Sequence, residues 1–162
     1  MTSPSLTLLR QIQVLDPVAN STMTNDVLLG SSLIQAIDSH LDNIPPDTNI
    51  VDGKGLILAP GLMDLYSYSG EPGHEDRETL DSLAASAIAG GFTRVAILPQ
   101  TQPSIDNLAT LSHLKQRTAS ISGVKFDFWG TFTHQGKGEQ ITELGAVSYT
   151  HLTLPTNCNV LL

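Results

Sequence analysis

Asp64, Tyr66 and Tyr68 stand two residues apart in the run Leu62-Met63-Asp64-Leu65-Tyr66-Ser67-Tyr68. The run is short, largely apolar and follows Pro60-Gly61, so it reads as a strand. Residues i and i+2 of a strand point to one side. Tyr66 and Tyr68 are therefore expected side by side at its C-terminal end. Two imidazoles at that spacing could hold one metal ion. A phenol, with a pKa of about 10, is a poor zinc ligand beside imidazole, carboxylate and thiolate. The tyrosines read first as packed aromatics and second as catalytic phenols. Asp64 reads first as an acceptor for nearby backbone groups and second as a remnant ligand.

Other chemistry-bearing residues are less organised. His74 follows Glu71-Pro72-Gly73 in a loop with no partner histidine near it, so a solvated side chain is preferred over a ligand. His40, His113, His134 and His151 are scattered without ligand spacing, which favours surface or core roles. Glu75-Asp76-Arg77-Glu78 reads as an acidic helix start, where negative charge complements the helix dipole. Gly136-Lys137-Gly138 lacks the Lys-Ser/Thr ending of a phosphate loop. Neither a Ser-His-Asp nor a Cys-His constellation can be assembled from the spacing. No residue is thus identified as catalytic.

These residues must be positioned by two kinds of element. Before residue 59 the pattern is short strands: Leu8–Leu15, Val27–Leu29 and Leu33–Ile37, then a hairpin of Ile50-Val51 with Leu56–Leu58 around Asp52-Gly53-Lys54-Gly55. After it, strands alternate with helices. Leu80, Leu83, Ala84, Ala87 and Ile88 lie on one helical face, closed by Gly90-Gly91. A strand over 93–98 follows. Asp106 or Asn107 caps a second helix carrying Leu108, Leu111 and Leu114. A strand over 124–131, a short helix over 139–144 and a strand from Gly145 complete the pattern. Strand–helix alternation predicts an α/β fold with a parallel sheet. The tail 148–162 contains no Asp, Glu, Lys or Arg and breaks that pattern.

Composition narrows the partners. The chain has 162 residues and a formal net charge of −8, which argues against nucleic acid or an anionic membrane as partner. No apolar run reaches the ~18 residues of a membrane span. One cysteine, Cys158, permits neither an internal disulfide nor a cysteine metal cage. A soluble cytoplasmic protein is expected.

Three stretches together resemble the dihydroorotase family of cyclic amidohydrolases. Pro60-Gly61-Leu62-Met63-Asp64-Leu65-Tyr66-Ser67-Tyr68 with Gly70-Glu71-Pro72-Gly73 is similar to the family's Pro-Gly-(apolar)2-Asp-x-His-x-His and Arg-Glu-Pro-Gly. Gly90-Gly91-Phe92-Thr93 through Leu98-Pro99-Gln100-Thr101-Gln102-Pro103 and Asp106-Asn107 is similar to its Gly-Gly-x-Thr … Met-Pro-Asn-Thr-x-Pro … Asp-Asn. Phe128 to Gly145 is similar to its third-strand region. The resemblance runs from residue 1 to about 147 and covers less than half of a family member.

The resemblance implies a partial TIM-type (β/α) barrel of three to four βα units over 59–147, preceded by a small β unit over 1–58, with 148–162 as a non-native or disordered tail. The family reaction is zinc-dependent, reversible hydrolysis of dihydroorotate to carbamoyl aspartate in pyrimidine biosynthesis. The departures matter. Both metal-binding histidines fall on Tyr66 and Tyr68, the substrate-pairing arginine falls on Gly70, and the substrate-contacting asparagine falls on Gln100. Gln100 and Asn107 are the candidate substrate-binding residues. No metal site and no cofactor are expected for this chain, although family members use zinc. Two readings stay open. One is a dihydroorotase-like protein of which this chain is an N-terminal portion, inactive on its own, with a small-molecule substrate for the whole. The other is a non-catalytic scaffold subunit that holds aspartate transcarbamoylase or forms a homo-oligomer.

Overall fold

The computed structural model describes residues 6–30, 33–142 and 159–161. The chain divides into two compact units, Met1–Pro60 and Gly61–Leu162.

The first unit is a five-stranded sheet. Strands β1 (Thr7–Asp16), β2 (Ser21–Gly30) and β3 (Leu33–Asp38) form an antiparallel meander, and β4 (Asn49–Asp52) and β5 (Ile57–Leu58) lie along the other side of β1. Leu8, Ile12 and Val27 are buried, while Met23, Leu33, Ile34, Ile37, Ile50 and Ile57 are exposed. The expected hairpin of Ile50-Val51 with Leu56–Leu58 does not form. Both segments pair with β1 in parallel, Thr7 through Arg10 against Asn49 through Asp52 and Gln13-Val14 against Ile57-Leu58. The reason is the close approach at Gly53. Its amide donates to Arg10 O at 2.7 Å, and a Cβ there would stand 2.7 Å from Ile12 Cβ. Glycine lets the chain bend along β1 instead of reversing.

Opposite this bend β1 carries a bulge. Leu9 pairs with Val27 and Ile12 with Asn25, so β1 has one residue more than β2 there, and Gln11 takes a φ of +53°. Asp26, fully buried, closes it. Its Oδ1 accepts the Gln11 amide at 3.0 Å, and its Oδ2 accepts the Leu41 amide at 3.0 Å and the Arg10 guanidinium. Burial pushes the Asp26 carboxyl upward. The Leu41 and Gln11 amides and Arg10 more than offset it, leaving the pKa below the ordinary value.

The second unit alternates strands and helices: β6 (Leu62–Ser67), α1 (Leu80–Ala89), β7 (Phe92–Ile97), α2 (Leu108–Thr118) and β8 (Lys125–Thr131). Strands β6, β7 and β8 are parallel neighbours in that order, and β9 (Asn159–Leu161) adds antiparallel to β8. Helix α1 starts at a capping box in which Thr79 and Ser82 bond each other's backbone amides. Leu80, Ala84 and Ala87 face the core, whereas Ile88 is 47% exposed and leaves the expected stripe. Asn107 caps α2, its Oδ1 accepting the Thr110 amide at 2.9 Å. These helices cover β7 and β8 through Val95, Ile97, Leu111, Leu114 and Phe128. No helix among the described residues is long and apolar enough to cross a membrane.

The helix expected over 139–144 is absent from its described part. Residues 139–140 are bends, and Ile141 bridges back to Thr133 in antiparallel fashion. The backbone groups there are spent on that return instead, Gln140 O accepting the His134 amide at 2.7 Å and Thr142 N donating to Phe132 O at 3.1 Å. The expected strand at Gly145 and most of the tail lie outside the described residues.

Candidate functional site

Of the residues singled out by sequence, Asp64 and Tyr66 lie in β6, and Tyr68, Gly70, His74, Gln100, Asn107 and His134 lie on the segments that leave the C-terminal ends of three parallel strands. In folds of this kind those ends are where side chains converge on ligands. The loop after β6 spans 68–78, the loop after β7 spans 98–107, and residues 132–142 follow β8. The first two loops touch closely. Gln102 N donates to Pro72 O at 2.9 Å, and a Cβ on Gly73 (φ +105°) would meet Gln102 O at 2.3 Å. Only glycine fits there.

Tyr66 and Tyr68 are 62% and 65% exposed, so they are not the packed aromatics expected. The cause is local. Asp64 pairs with Val95 and Ser67 with Ile97, which puts an extra residue into β6 between them, and the strand ends at Ser67. Tyr66 therefore lies in a bulge and Tyr68 beyond the strand, so regular i, i+2 alternation stops before the pair. Asp64 holds the bulge as an acceptor, taking the Tyr66 amide at 2.9 Å and the Ser67 hydroxyl at 2.6 Å. Those two hydrogen bonds, the hydroxyl first, lower its pKa from the ordinary value. The Leu65 carbonyl, inside the bulge, accepts the Trp129 indole N–H at 2.8 Å.

These residues do not fit zinc. The first-strand positions are phenols, Asp64 is occupied by its own turn, and no group of three metal-ligating side chains converges among the described residues. An arginine does not fit at Gly70 either. A Cβ there would stand 2.5 Å from the carbonyl oxygens of both His74 and Glu78. The neighbouring Glu71 is structural: its Oε2 accepts the Leu80 amide at 2.8 Å and its Oε1 accepts Arg117 Nε at 2.9 Å. Arg117 also pairs with Asp81, clamping the two helices.

Gln100 is exposed at the start of the β7–α2 loop. Asn107 lies in the wall of a cavity but spends both ends of its amide, Oδ1 on Thr110 and Nδ2 on Asp106 Oδ1 at 2.6 Å. His74 is exposed, and His134, dismissed by spacing alone, is not isolated. Its Nδ1 sits 2.7 Å from Oδ2 of the nearly inaccessible Asp106, which also accepts the Gln135 amide at 3.0 Å. No sequence signal joins residues 106 and 134. Only the parallel pairing of β7 and β8 brings their following loops together.

The sequence of this chain is similar to proteins of one family. The dihydro-orotase-like family model matches residues 55–160. The chain is 41% identical over 156 residues to a probable dihydroorotase-like protein of Synechocystis sp., covering 83% of this chain and 35% of that protein. It is 33% identical over 143 residues to the dihydroorotase of Aquifex aeolicus, covering 85% of this chain and 33% of that protein. The chain thus spans about a third of the length of these relatives. Among solved structures it is similar in fold to the L-hydantoinase of Arthrobacter aurescens, with a TM-score of 0.68 at 19% identity over 78% of this chain and 28% of that one. The match over residues 55–160 covers most of the second unit, including the strand, glycine loop and capped helices described above. The chain belongs to the dihydroorotase-like family.

Proposed function

We propose that this chain is the opening portion of a dihydroorotase-like protein and that by itself it does not turn over dihydroorotate. On this reading the parallel β6–β7–β8 sheet is the start of a (β/α) barrel. The regions 1–58 and 59–147 are then a β unit and that barrel start. The family's cyclic-amide hydrolysis, with zinc polarising the amide and supplying hydroxide, needs ligands that these residues do not provide. The observation that carries the proposal is the first strand: Tyr66 and Tyr68 replace imidazoles, and Gly70 lies in a loop with no room for a side chain. Gln100 remains a substrate-contact candidate for the whole protein, and Asn107 acts chiefly as a helix cap.

The test is elemental analysis of the purified 162-residue chain alongside assay of dihydroorotate ring opening. Background zinc and no turnover are expected. The double substitution Tyr66→His, Tyr68→His is expected to leave both unchanged, because a zinc site needs at least three protein ligands. Stoichiometric zinc with measurable turnover would overturn the proposal.

The exposure of both tyrosines favours a second reading, in which aromatic surface at the old ligand positions contacts another protein. On it the protein is a soluble scaffold for aspartate transcarbamoylase in the cytoplasm, or a homo-oligomer. Sedimentation of the chain alone and with the catalytic chain of that enzyme decides it: a complex lost in Tyr66→Ser, Tyr68→Ser supports the scaffold.

A further inference from the structure

Residues 101–107 and 133–142 line two open clefts of about 670 and 420 Å³ that share Asp106, Asn107 and His134 in their walls. The larger is also lined by Thr101, Gln102, Ser104 and Lys137. Donors in this wall come from Lys137 and Gln102, and acceptors from His134 and Thr101. A carboxylate only accepts, so the His134 nitrogen 2.7 Å from Asp106 is the one carrying hydrogen. In the neutral ring that leaves Nε2 with a lone pair. The Thr101 hydroxyl donates to Pro103 O at 2.7 Å and likewise keeps only lone pairs to offer. Ser104 turns its hydroxyl to Thr101 O at 3.5 Å, so it is not a nucleophile activated by the ring. Asn107 uses its Oδ1 and one of its two Nδ2 hydrogens within its own loop. Among the described residues, Nε2 of His134 has no partner, and the imidazole is 58% exposed.

Asp106 is held hard. Besides the ring it accepts from Gln135 N and Asn107 Nδ2, and its side chain is 4% exposed. Gln135, whose amide it takes, sits at a φ of +53°, a left-handed conformation that costs about 1 kcal/mol or more for a non-glycine residue. The loop after β8 thus accepts strain in a form that also presents the ring.

We propose that Asp106 and His134 form a binding site for a small molecule bearing an N–H or O–H donor, with Nε2 of His134 accepting that hydrogen and Asp106 acting as the positioning residue. Asp106 falls in the stretch similar to the family's Asp-Asn motif, but the site does not depend on whether the chain hydrolyses dihydroorotate.

The test is ¹⁵N spectroscopy of the histidine rings in the full 162-residue chain, with acetamide as probe and N,N-dimethylacetamide, which has no N–H, as control. His134 is expected in the Nδ1–H tautomer. Acetamide is expected to give a saturable shift at its Nε2, and dimethylacetamide none. Asp106→Asn is expected to mix the tautomers and weaken acetamide binding by roughly threefold to tenfold, the range of one neutral hydrogen bond. His134→Gln should abolish the Nε2 signal without unfolding the chain, since the ring is largely exposed. An Nε2–H tautomer in the unsubstituted chain, equal shifts from both amides, or no saturable shift would each overturn the proposal. Should Asp106→Asn fail to fold, the tautomer and the amide comparison in the unsubstituted chain decide it.

Discussion

Among the described residues, each unit contains one inaccessible aspartate facing a histidine, and the two pairs are built to opposite ends. In the first unit Asp26 lies 3.4 Å from His40 Nδ1, but Arg10 neutralises it and two backbone amides saturate it. His40 is tied at its other nitrogen too, with Nε2 3.3 Å from Asp42. Both ring nitrogens of His40 thus face carboxylates, although the ring itself is 65% exposed. In the second unit Asp106 has no arginine, and its histidine is the shorter contact, with one nitrogen left over toward a cleft. A buried carboxylate with a closed set of partners fixes a bulge. The same carboxylate with an open partner presents a ring to solvent. The environment, not the residue pair, assigns the role.

The sharpest way to break this comparison is to delete the closed circuit. Asp26→Ala strands the Arg10 charge and the amides of Gln11 and Leu41 around the bulge, and is expected to cost about 3–5 kcal/mol, as for one partner of a buried ion pair. Urea titration with hydrogen exchange of amides in residues 6–58 measures it. A loss below about 1 kcal/mol, the net value of an ordinary hydrogen bond, would mean that Asp26 is not what holds β1 to its neighbours. Asp106→Asn is expected to cost less, about 1–3 kcal/mol, because no charge is stranded and an amide oxygen can still accept one bond. Faster exchange at the Gln135 amide should accompany it.

Acid sharpens the contrast further. The folded carboxyl of Asp26 titrates below its unfolded value, so its contribution to stability is complete above about pH 4 and is lost as pH falls through the lower folded value. Asp64 shifts in the same direction, chiefly through the Ser67 hydroxyl. Acid unfolding curves of the unsubstituted chain should therefore bend downward below about pH 4. The Asp26→Asn chain, already weaker, should show a shallower slope there. Equal slopes would assign the acid sensitivity to other carboxylates.

How far the sequence reveals these features follows from the range of the interactions. Helices α1 and α2 are legible because Leu80, Ala84 and Ala87, and Leu111 and Leu114, repeat at local spacing, the second beside its Asn107 cap, whereas the α1 start at Thr79 instead of 75–78 is not. The substitutions at Tyr66, Tyr68 and Gly70 are legible because a strand motif is local too. The parallel pairing of Ile57-Leu58 with β1 is not, since it depends on Gly53 meeting residues more than forty positions earlier. The bulge that contains Tyr66 is set by register against β7, which no alternation within 62–68 reports. Asp106 and His134 are separated by a helix and a strand, so their spacing carries no ligand signature and their meeting is purely tertiary.

The smallest expected effects separate the two histidines themselves. His40→Gln removes a side chain that is 65% exposed and lies 3.4 Å from an aspartate already holding two amides and a guanidinium. Exposed ion pairs contribute little, so the change is expected to stay within about 0.5 kcal/mol, typical of a surface substitution. His134→Gln removes a 2.7 Å contact to a carboxylate whose other partners are one backbone amide and the Asn107 side chain. That loss is expected at roughly 0.5–1.5 kcal/mol, partly restored if the glutamine amide reaches Asp106. The two variants should therefore differ little in melting but completely in response to acetamide, which only His134→Gln should alter. If His40→Gln proved the more costly, or if it changed the acetamide response, the open and closed pairs would not be distinct in kind. The free nitrogen of His134 would then be an accident of loop geometry, and Asp106 would be a second structural anchor like Asp26.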